Sequence, residues 1–172
     1  MGYLNKIGCF LLVLIFVGCG NNDDGLARLQ VELIDAPGDY EKVNIDILDV
    51  QVNAGTDESG FTSLADVNSG VFNLLDLVND LKAVLADVEI PAGRISQIRL
   101  ILGDKNTLVI DGEPIDLTIP SGSQSGLKLN LQMELLDGIT YKILLDFDAA
   151  KSVVKAGNSG KYNLKPSYPF NC

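Results

Sequence analysis

Apolar and polar residues alternate without interruption in Leu127-Lys128-Leu129-Asn130-Leu131-Gln132-Met133-Glu134-Leu135. Successive side chains of a β-strand point to opposite faces, so this period of two predicts a strand with one face buried. We expect the faces to divide as follows: Leu129, Leu131 and Met133 towards the core, and Lys128, Asn130 and Gln132 away from it.

The same period recurs along the chain, in segments separated by turn-forming residues. These segments are Ala27/Leu29/Val31/Leu33, Ile98/Leu100/Leu102, Ile115/Leu117/Ile119 and Tyr141/Ile143/Leu145/Phe147. Turn signals such as Asp111-Gly112 and Asp137-Gly138 lie between them. Short strands with this punctuation predict a mainly β fold, an antiparallel β-sandwich with one or two short helices.

One segment carries a change of parity within its alternating pattern. Its apolar residues occupy one face and then the other: Val43, Ile45 and Ile47, followed by Leu48, Val50 and Val52. Because the side-chain period of a strand is two, the switch requires one extra residue. We therefore predict a β-bulge at Ile47-Leu48.

Two other segments suggest helices. Apolar residues between positions 71 and 86 follow helical spacing, which predicts a helix near Leu77 to Ala86 with Asp76 as its N-cap. Asp148 precedes two alanines, and alanine favours helix, so a second short helix is expected within residues 148–154.

The composition excludes several classes of protein. The chain has 172 residues, 47% hydrophobic and 21% charged, which suits one globular domain. It contains no histidine and no tryptophan, which removes His-ligated zinc, Ser-His-Asp and Cys-His catalysis, and tryptophan platforms for sugars. A net charge of −10 would be repelled by phosphate backbones, so we expect no nucleic-acid partner.

The first residues have the features of a secretory leader. Lys6 precedes an apolar run over residues 7–17, too short to cross a hydrocarbon core of about 30 Å as a helix. Gly18-Cys19 at its end resembles the lipobox of bacterial lipoproteins. We therefore predict a lipoprotein signal peptide over residues 1–18 and a covalent lipid on Cys19. The alternative is a soluble secreted protein with an incidental cysteine.

The segment after the leader is short and polar. Residues 19–25 contain no large apolar side chain, which predicts a lipidated, flexible tether ahead of a single β-sandwich domain over residues 26–172. Gly20 and the acidic pair Asp23-Asp24 resemble signals for the outer membrane of Gram-negative bacteria. A solvated linker without an address is the alternative. Cys172 would be the only cysteine of the domain, so an internal disulfide is excluded.

Four stretches resemble a known family. They read LIDAPGDY at 33–40, IPAG at 90–93 leading to QIRL at 97–100, PSGSQSGLKL at 120–129 and LDFDAAKSV at 145–153. Together they are similar to the bacterial lipoprotein family catalogued as domain of unknown function 4382. The resemblance covers residues 26 to 168 and implies a β-sandwich of immunoglobulin-like or transthyretin-like type in an envelope lipoprotein, with no established activity.

Four aspartates are the best carboxylate cluster in the sequence: Asp35, Asp39, Asp146 and Asp148. The first two flank a tight turn, and the last two share one side of a strand. Hard oxygen ligands suit Ca²⁺, although no loop has the spacing of a calcium-binding motif. In the competing interpretation these carboxylates are structural, with Asp148 capping the following helix.

A polar, glycine-rich connection precedes the alternating strand. It predicts a loop that contacts a ligand or partner through Ser121, Ser123, Gln124 and Ser125. Ser125 and Lys128 also fit the S-x-x-K pattern of serine acyl-enzymes. That chemistry requires a helix, whereas a strand would point the two side chains to opposite faces.

These features favour a non-enzymatic envelope lipoprotein, a binding or assembly module displayed at the outer membrane. Its partners would be the membrane, through the lipid anchor, and an unknown envelope protein or glycan. Two alternatives remain open: a sugar-binding accessory lipoprotein of a glycan-uptake system, and a hydrolase using paired carboxylates such as Asp146 and Asp148.

Overall fold

The computed structural model describes residues 25–36, 38–119, 126–157 and 159–165. Their strands are β1 (Leu26–Ile34), β2 (Lys42–Asn53), β3 (Phe61–Ser63), β4 (Gly70–Asn73), β5 (Ala83–Pro91), β6 (Gly93–Leu102), β7 (Thr107–Ile110), β8 (Glu113–Thr118), β9 (Leu127–Leu135), β10 (Thr140–Asp146), β11 (Val153–Lys155) and β12 (Tyr162–Leu164). One short helix, α1 (Ala149–Ser152), and two 3₁₀ turns, Glu58–Gly60 and Leu74–Asp76, lie between them.

The strands form two sheets, which confirms the β-sandwich. The smaller sheet has the order β10-β1-β5, and the larger runs β11-β12-β8-β7-β2-β6-β9, with β3 and β4 also paired to β2. Two ladders are parallel, β1 with β10 and β8 with β12. The other ladders of the described strands are antiparallel, so the sheets are mixed.

The core lies between the inner faces of the two sheets. Ala27, Leu29, Val31 and Leu33 of β1 are fully buried, as are Val43, Ile45, Ile47 and Val50 of β2 and Ile98 and Leu100 of β6. Residues of both sheets belong to one apolar cluster. Full burial of a Val, Leu or Ile side chain contributes about 1.5–3 kcal/mol, so this cluster is the main source of stability.

Strand β9 confirms the prediction from the alternating segment, and its bounds coincide with it. Leu129 is buried, while Leu131 and Met133 are half-buried and pack against the core. Asn130 and Gln132 are exposed on the other face. Because β9 is the last strand of its sheet, it covers the core less completely than the central strands do.

The predicted bulge in β2 is also confirmed. Ile47 pairs with Leu102 and Asp49 pairs with Ile101, which leaves Leu48 as the extra residue. Ile47 is buried and Leu48 is exposed, so the side chain that the parity switch adds points to solvent. The bulge brings Val50 back to the core face.

The predicted helix near Leu77 to Ala86 is wrong. Asn79 and Asp80 have φ angles of 55° and 69°, in the left-handed region, and β5 begins at Ala83. Two adjacent residues of β5, Leu85 and Ala86, are both buried, because the β1–β5 register shifts there and Leu85 has no partner in β1. Buried neighbours in a bulged strand imitate helical spacing.

The second helix is confirmed in part. Asp148 is the N-cap of α1, and its side chain accepts a hydrogen bond from the backbone N–H of Lys151. The helix has only four residues, Ala149–Ser152. It ends because Val153 adopts an extended conformation and begins β11, within the segment predicted to be helical.

Candidate functional site

The two ends of the sandwich differ in what they carry. Strand β1 begins at Leu26, where the N-terminal chain enters, and we call that the proximal end. It finishes at Ile34, and we call that the distal end. At the distal end the N–H of Asp35 donates to the Leu77 carbonyl at 3.0 Å, and that of Phe147 donates to the Ile34 carbonyl at 3.2 Å. Three segments distant in sequence therefore meet there.

Asp35 is the central side chain of this junction. It is only 7% exposed, and its Oδ1 accepts a hydrogen bond from the N–H of Ala149 at 2.8 Å. Its Oδ2 is buried without a hydrogen-bond partner among the described residues. A buried carboxylate oxygen without a hydrogen bond is costly.

The environment of Asp35 favours its protonated form. Burial raises the pKa of the carboxyl group to about 6, against the opposing effect of the Ala149 N–H. The nearby charges of Asp146 and Asp148 raise the pKa further. The group therefore changes charge close to neutral pH, unlike an exposed aspartate.

A cavity of about 420 Å³ borders Asp35. Its remaining lining residues are Ile34, Leu77, Asn79, Asp80, Leu81, Lys82 and Leu144. Apolar side chains form half of this lining and polar or charged side chains form the other half, so a ligand in the cavity would meet both kinds of group. We refer to this space and its lining as the distal cavity.

An ion pair fixes one side of the distal cavity. Lys82 Nζ lies 2.7 Å from Glu32 Oε2, and Glu32 is a buried residue of β1. A buried charge is tolerated when it is paired, so Lys82 satisfies Glu32. The lysine is itself partly exposed, and it adds a positive charge to the lining that Asp35 and Asp80 share.

Asp146 and Asp148 have structural roles that account for most of their oxygens. Asp148 Oδ1 accepts from the Lys151 N–H at 3.1 Å, and its Oδ2 forms an ion pair with Lys151 Nζ. These contacts, first that with the Lys151 side chain, hold the pKa of Asp148 below its usual value. Asp146 Oδ1 accepts from the N–H of Asp148 at 3.2 Å. The sequence predicted this capping role of Asp148 in the interpretation that treats the carboxylates as structural, and the structure confirms it.

The four calcium candidates do not form one group. Asp35, Asp146 and Asp148 lie close together, whereas Asp39 is exposed and borders a separate surface pocket with Asp111. Within the described ranges, no three carboxylate or thiol side chains are arranged to hold a metal ion. Calcium binding was only an alternative to the structural interpretation, and the geometry of these residues does not favour it.

Sequence reasoning missed the loop that forms much of the cavity. The segment predicted as a helix contains Asn79, Asp80 and Lys82, and a helix there gave no indication that they line a cavity. The adjacent Asn79-Asp80 pair is a turn signal, since both residue types tolerate the left-handed conformation. That pair was the available indication of a loop.

Several predicted site residues lie outside the described residues. They are the lipidation residue Cys19 and the loop residues Ser121, Ser123, Gln124 and Ser125. Lys128 is described and lies in β9, a strand, which supports the rejection of the S-x-x-K pattern.

The described tyrosines offer little open surface for stacking on sugars. Tyr40, Tyr141 and Tyr162 are half-buried and pack against the core. The hydroxyl of Tyr141 accepts a hydrogen bond from the Leu136 N–H at 3.0 Å. These side chains cover the edge of the core, as aromatic residues with a polar tip often do.

Fold and site together define a two-sheet β-sandwich with a carboxylate-lined cavity at the end remote from its N-terminal entry. The chain belongs to the family described as "Domain of unknown function (DUF4382)", which matches residues 26–166. No curated protein and no solved structure gives a significant match to the chain. Across the described ranges, no helix is both long and apolar enough to cross a membrane.

Proposed function

We propose that the chain is an envelope lipoprotein, held by a lipid on Cys19 at the outer membrane of a Gram-negative bacterium. Its domain acts as a non-enzymatic binding or assembly module. One observation carries this proposal: the N-terminal chain enters at the proximal end, while the distal cavity lies at the other end of β1. A lipid tether on this side would leave the cavity accessible.

The distal cavity is the proposed binding site for an envelope protein or glycan. Asp35 Oδ2 has no described partner and would accept a hydrogen bond from an N–H or O–H group of the ligand. Leu77, Leu81 and Leu144 would contact its apolar parts. The proposed activity assigns no metal and no cofactor to the domain.

The anchor is tested by the variant Cys19→Ser, which should remain an unlipidated precursor because the hydroxyl cannot replace the thiol in lipid transfer. We expect the wild type to partition into detergent and to carry the mass of the acyl chains, whereas the variant should lack that mass and keep residues 1–18. Cys172→Ser is the matched control and should behave as wild type. Partitioning of both Cys19 forms into the aqueous phase would contradict the anchor.

The binding site is tested by cross-linking in intact cells with a photoreactive amino acid. At Leu81, which is 61% exposed and borders the distal cavity, the probe should give a discrete cross-linked product. At Leu48, an exposed leucine on the bulge of β2, it should give none. Addition of Asp35→Asn should weaken the product at position 81. Equal labelling from both positions would argue against a site at the distal end.

A carboxylate-dependent hydrolase is the second candidate function. Asp148 is committed to Lys151, which weakens the pair Asp146 and Asp148 as catalytic groups. The observation that favours a hydrolase is instead that Asp35, with a pKa of about 6, borders the same cavity as Asp80. A general acid works best with a pKa near the working pH. A glycan array separates the candidates: a bound glycan that stays intact supports binding alone.

A further inference from the structure

Three large apolar side chains are exposed together at the proximal end of the sandwich. Leu26 is 48% exposed, Leu136 is 60% exposed and Ile139 is 47% exposed. Backbone hydrogen bonds hold them close: Gly138 N–H donates to the Leu26 carbonyl at 2.9 Å, and Ile139 N–H donates to the Leu136 carbonyl at 3.3 Å. We name these three residues the proximal patch.

The backbone groups around the proximal patch form hydrogen bonds that do not involve the exposed side chains. The Ile139 carbonyl accepts from the Arg28 N–H at 3.0 Å, and the Gly25 carbonyl accepts from the Ala92 N–H at 2.7 Å. The loop geometry therefore does not require leucine and isoleucine at these positions. A cluster of exposed apolar residues that the fold does not need points to an interaction surface.

The short segment between Cys19 and Leu26 limits how far the proximal patch can lie from a membrane. Only residues 20–25 separate Cys19 from Leu26, and an extended chain of that length spans at most about 25 Å. A lipid on Cys19 would keep Leu26 within that distance of the bilayer. The last described residue, Lys165, is by contrast bonded to Ser152, which follows β10 at the distal end.

The charge of the protein indicates how the contact would form. The chain carries a net charge of −10, so attraction to an anionic lipid surface is excluded as the driving force. Leucine and isoleucine side chains instead favour the boundary between headgroups and acyl chains of a lipid layer. A zwitterionic lipid surface fits both conditions.

We propose that the proximal patch inserts into the lipid interface, so that the domain contacts the bilayer at Leu26, Leu136 and Ile139 and directs the distal cavity outward. This inference rests on the proposed lipid anchor and adds a defined orientation to it. The orientation matters because a freely rotating domain on a flexible tether would present the cavity in all directions.

The experiment uses the mature, lipidated full chain in phosphatidylcholine vesicles. A fluorophore is attached at Leu136→Cys or at Leu81→Cys, each in a Cys172→Ser background. Both native leucines have similar exposure, 60% and 61%, but they lie near opposite ends of β1, a strand about 26 Å long. We expect lipid-borne quenchers to reduce emission several-fold more at position 136 than at position 81.

The outcomes distinguish a failure of the proposed patch insertion from a failure of the proposed lipid anchor. Intact mass reports the acyl chains: if they are absent, the anchor is wrong and the inference fails with it. If the acyl chains are present and both positions are quenched equally or not at all, only the inference is overturned. A probe at position 136 that is shielded from aqueous iodide, yet not quenched by lipid, would show a second protein copy on the patch. That outcome also overturns it.

Discussion

Replacement of Leu129 by alanine should lower the free energy of unfolding by about 2–5 kcal/mol. Leu129 is buried on the inner face of β9, where it pairs with Ile98 of β6. The substitution removes apolar contacts and leaves a cavity that the flanking sheets fill only in part. Urea-induced unfolding, followed by circular dichroism, measures the change.

Two other positions on the same strand make this prediction specific. Leu131 is half-buried, so Leu131→Ala should destabilise the domain less than Leu129→Ala does. Glu134 is exposed on the opposite face, and Glu134→Ala should change the stability by no more than about 0.5 kcal/mol. A larger loss for Glu134→Ala than for Leu129→Ala would contradict the face assignment of β9.

Local periodicity correctly predicted strands that bury one face and expose the other to solvent. In β9 the alternation survives because one face meets the core and the other meets solvent. In β2 the switch at Ile47-Leu48 records a bulge, since a single extra residue inverts every later side chain. Both features depend on neighbours in sequence, so the sequence alone was sufficient.

The parts that failed depend on distant partners. Strand β5 is a strand because it pairs with β1, and residues 77–82 form a loop because Asn79 and Asp80 turn the chain before that pairing begins. The parallel ladder of β1 with β10 joins segments more than a hundred residues apart, Arg28 with Thr140, for example. Alternation is the same in parallel and antiparallel pairs, so periodicity could not distinguish them.

The candidate site divides in the same way. Residue type and turn position singled out Asp35 as a candidate, but its burial follows from packing against α1 and the loop after the 3₁₀ turn Leu74–Asp76. The distal cavity combines β1, β10 and residues 77–82. Since residues 77–82 were assigned to a helix, the cavity could not be predicted. What distinguishes Asp35 from the other candidate carboxylates is its buried Oδ2, which has no partner among the described residues.

Asp35 should make the stability of the domain fall as the pH rises through weakly acidic values. Its pKa is raised from 3.8 to about 6 on folding, so the folded state binds the proton more tightly than the unfolded state. The stabilisation is therefore complete below about pH 4 and is lost as the pH approaches about 6. This difference in pKa corresponds to a loss on the order of 2–3 kcal/mol.

The variant Asp35→Asn isolates this effect, since asparagine has the same shape and no titrating proton. Urea unfolding of wild type and variant at a series of pH values from about 4 to about 7 gives two stability curves. As the pH rises, the free energy of unfolding of the wild type should fall relative to that of the variant. The total change should equal the stabilisation that the protonated Asp35 provides. Asp39→Asn, an exposed aspartate on the same loop, is the control and should run parallel to wild type. Parallel curves for Asp35→Asn as well would mean that the carboxyl group is solvated in the folded protein. The distal cavity would then have no buried, unpartnered acceptor at Asp35.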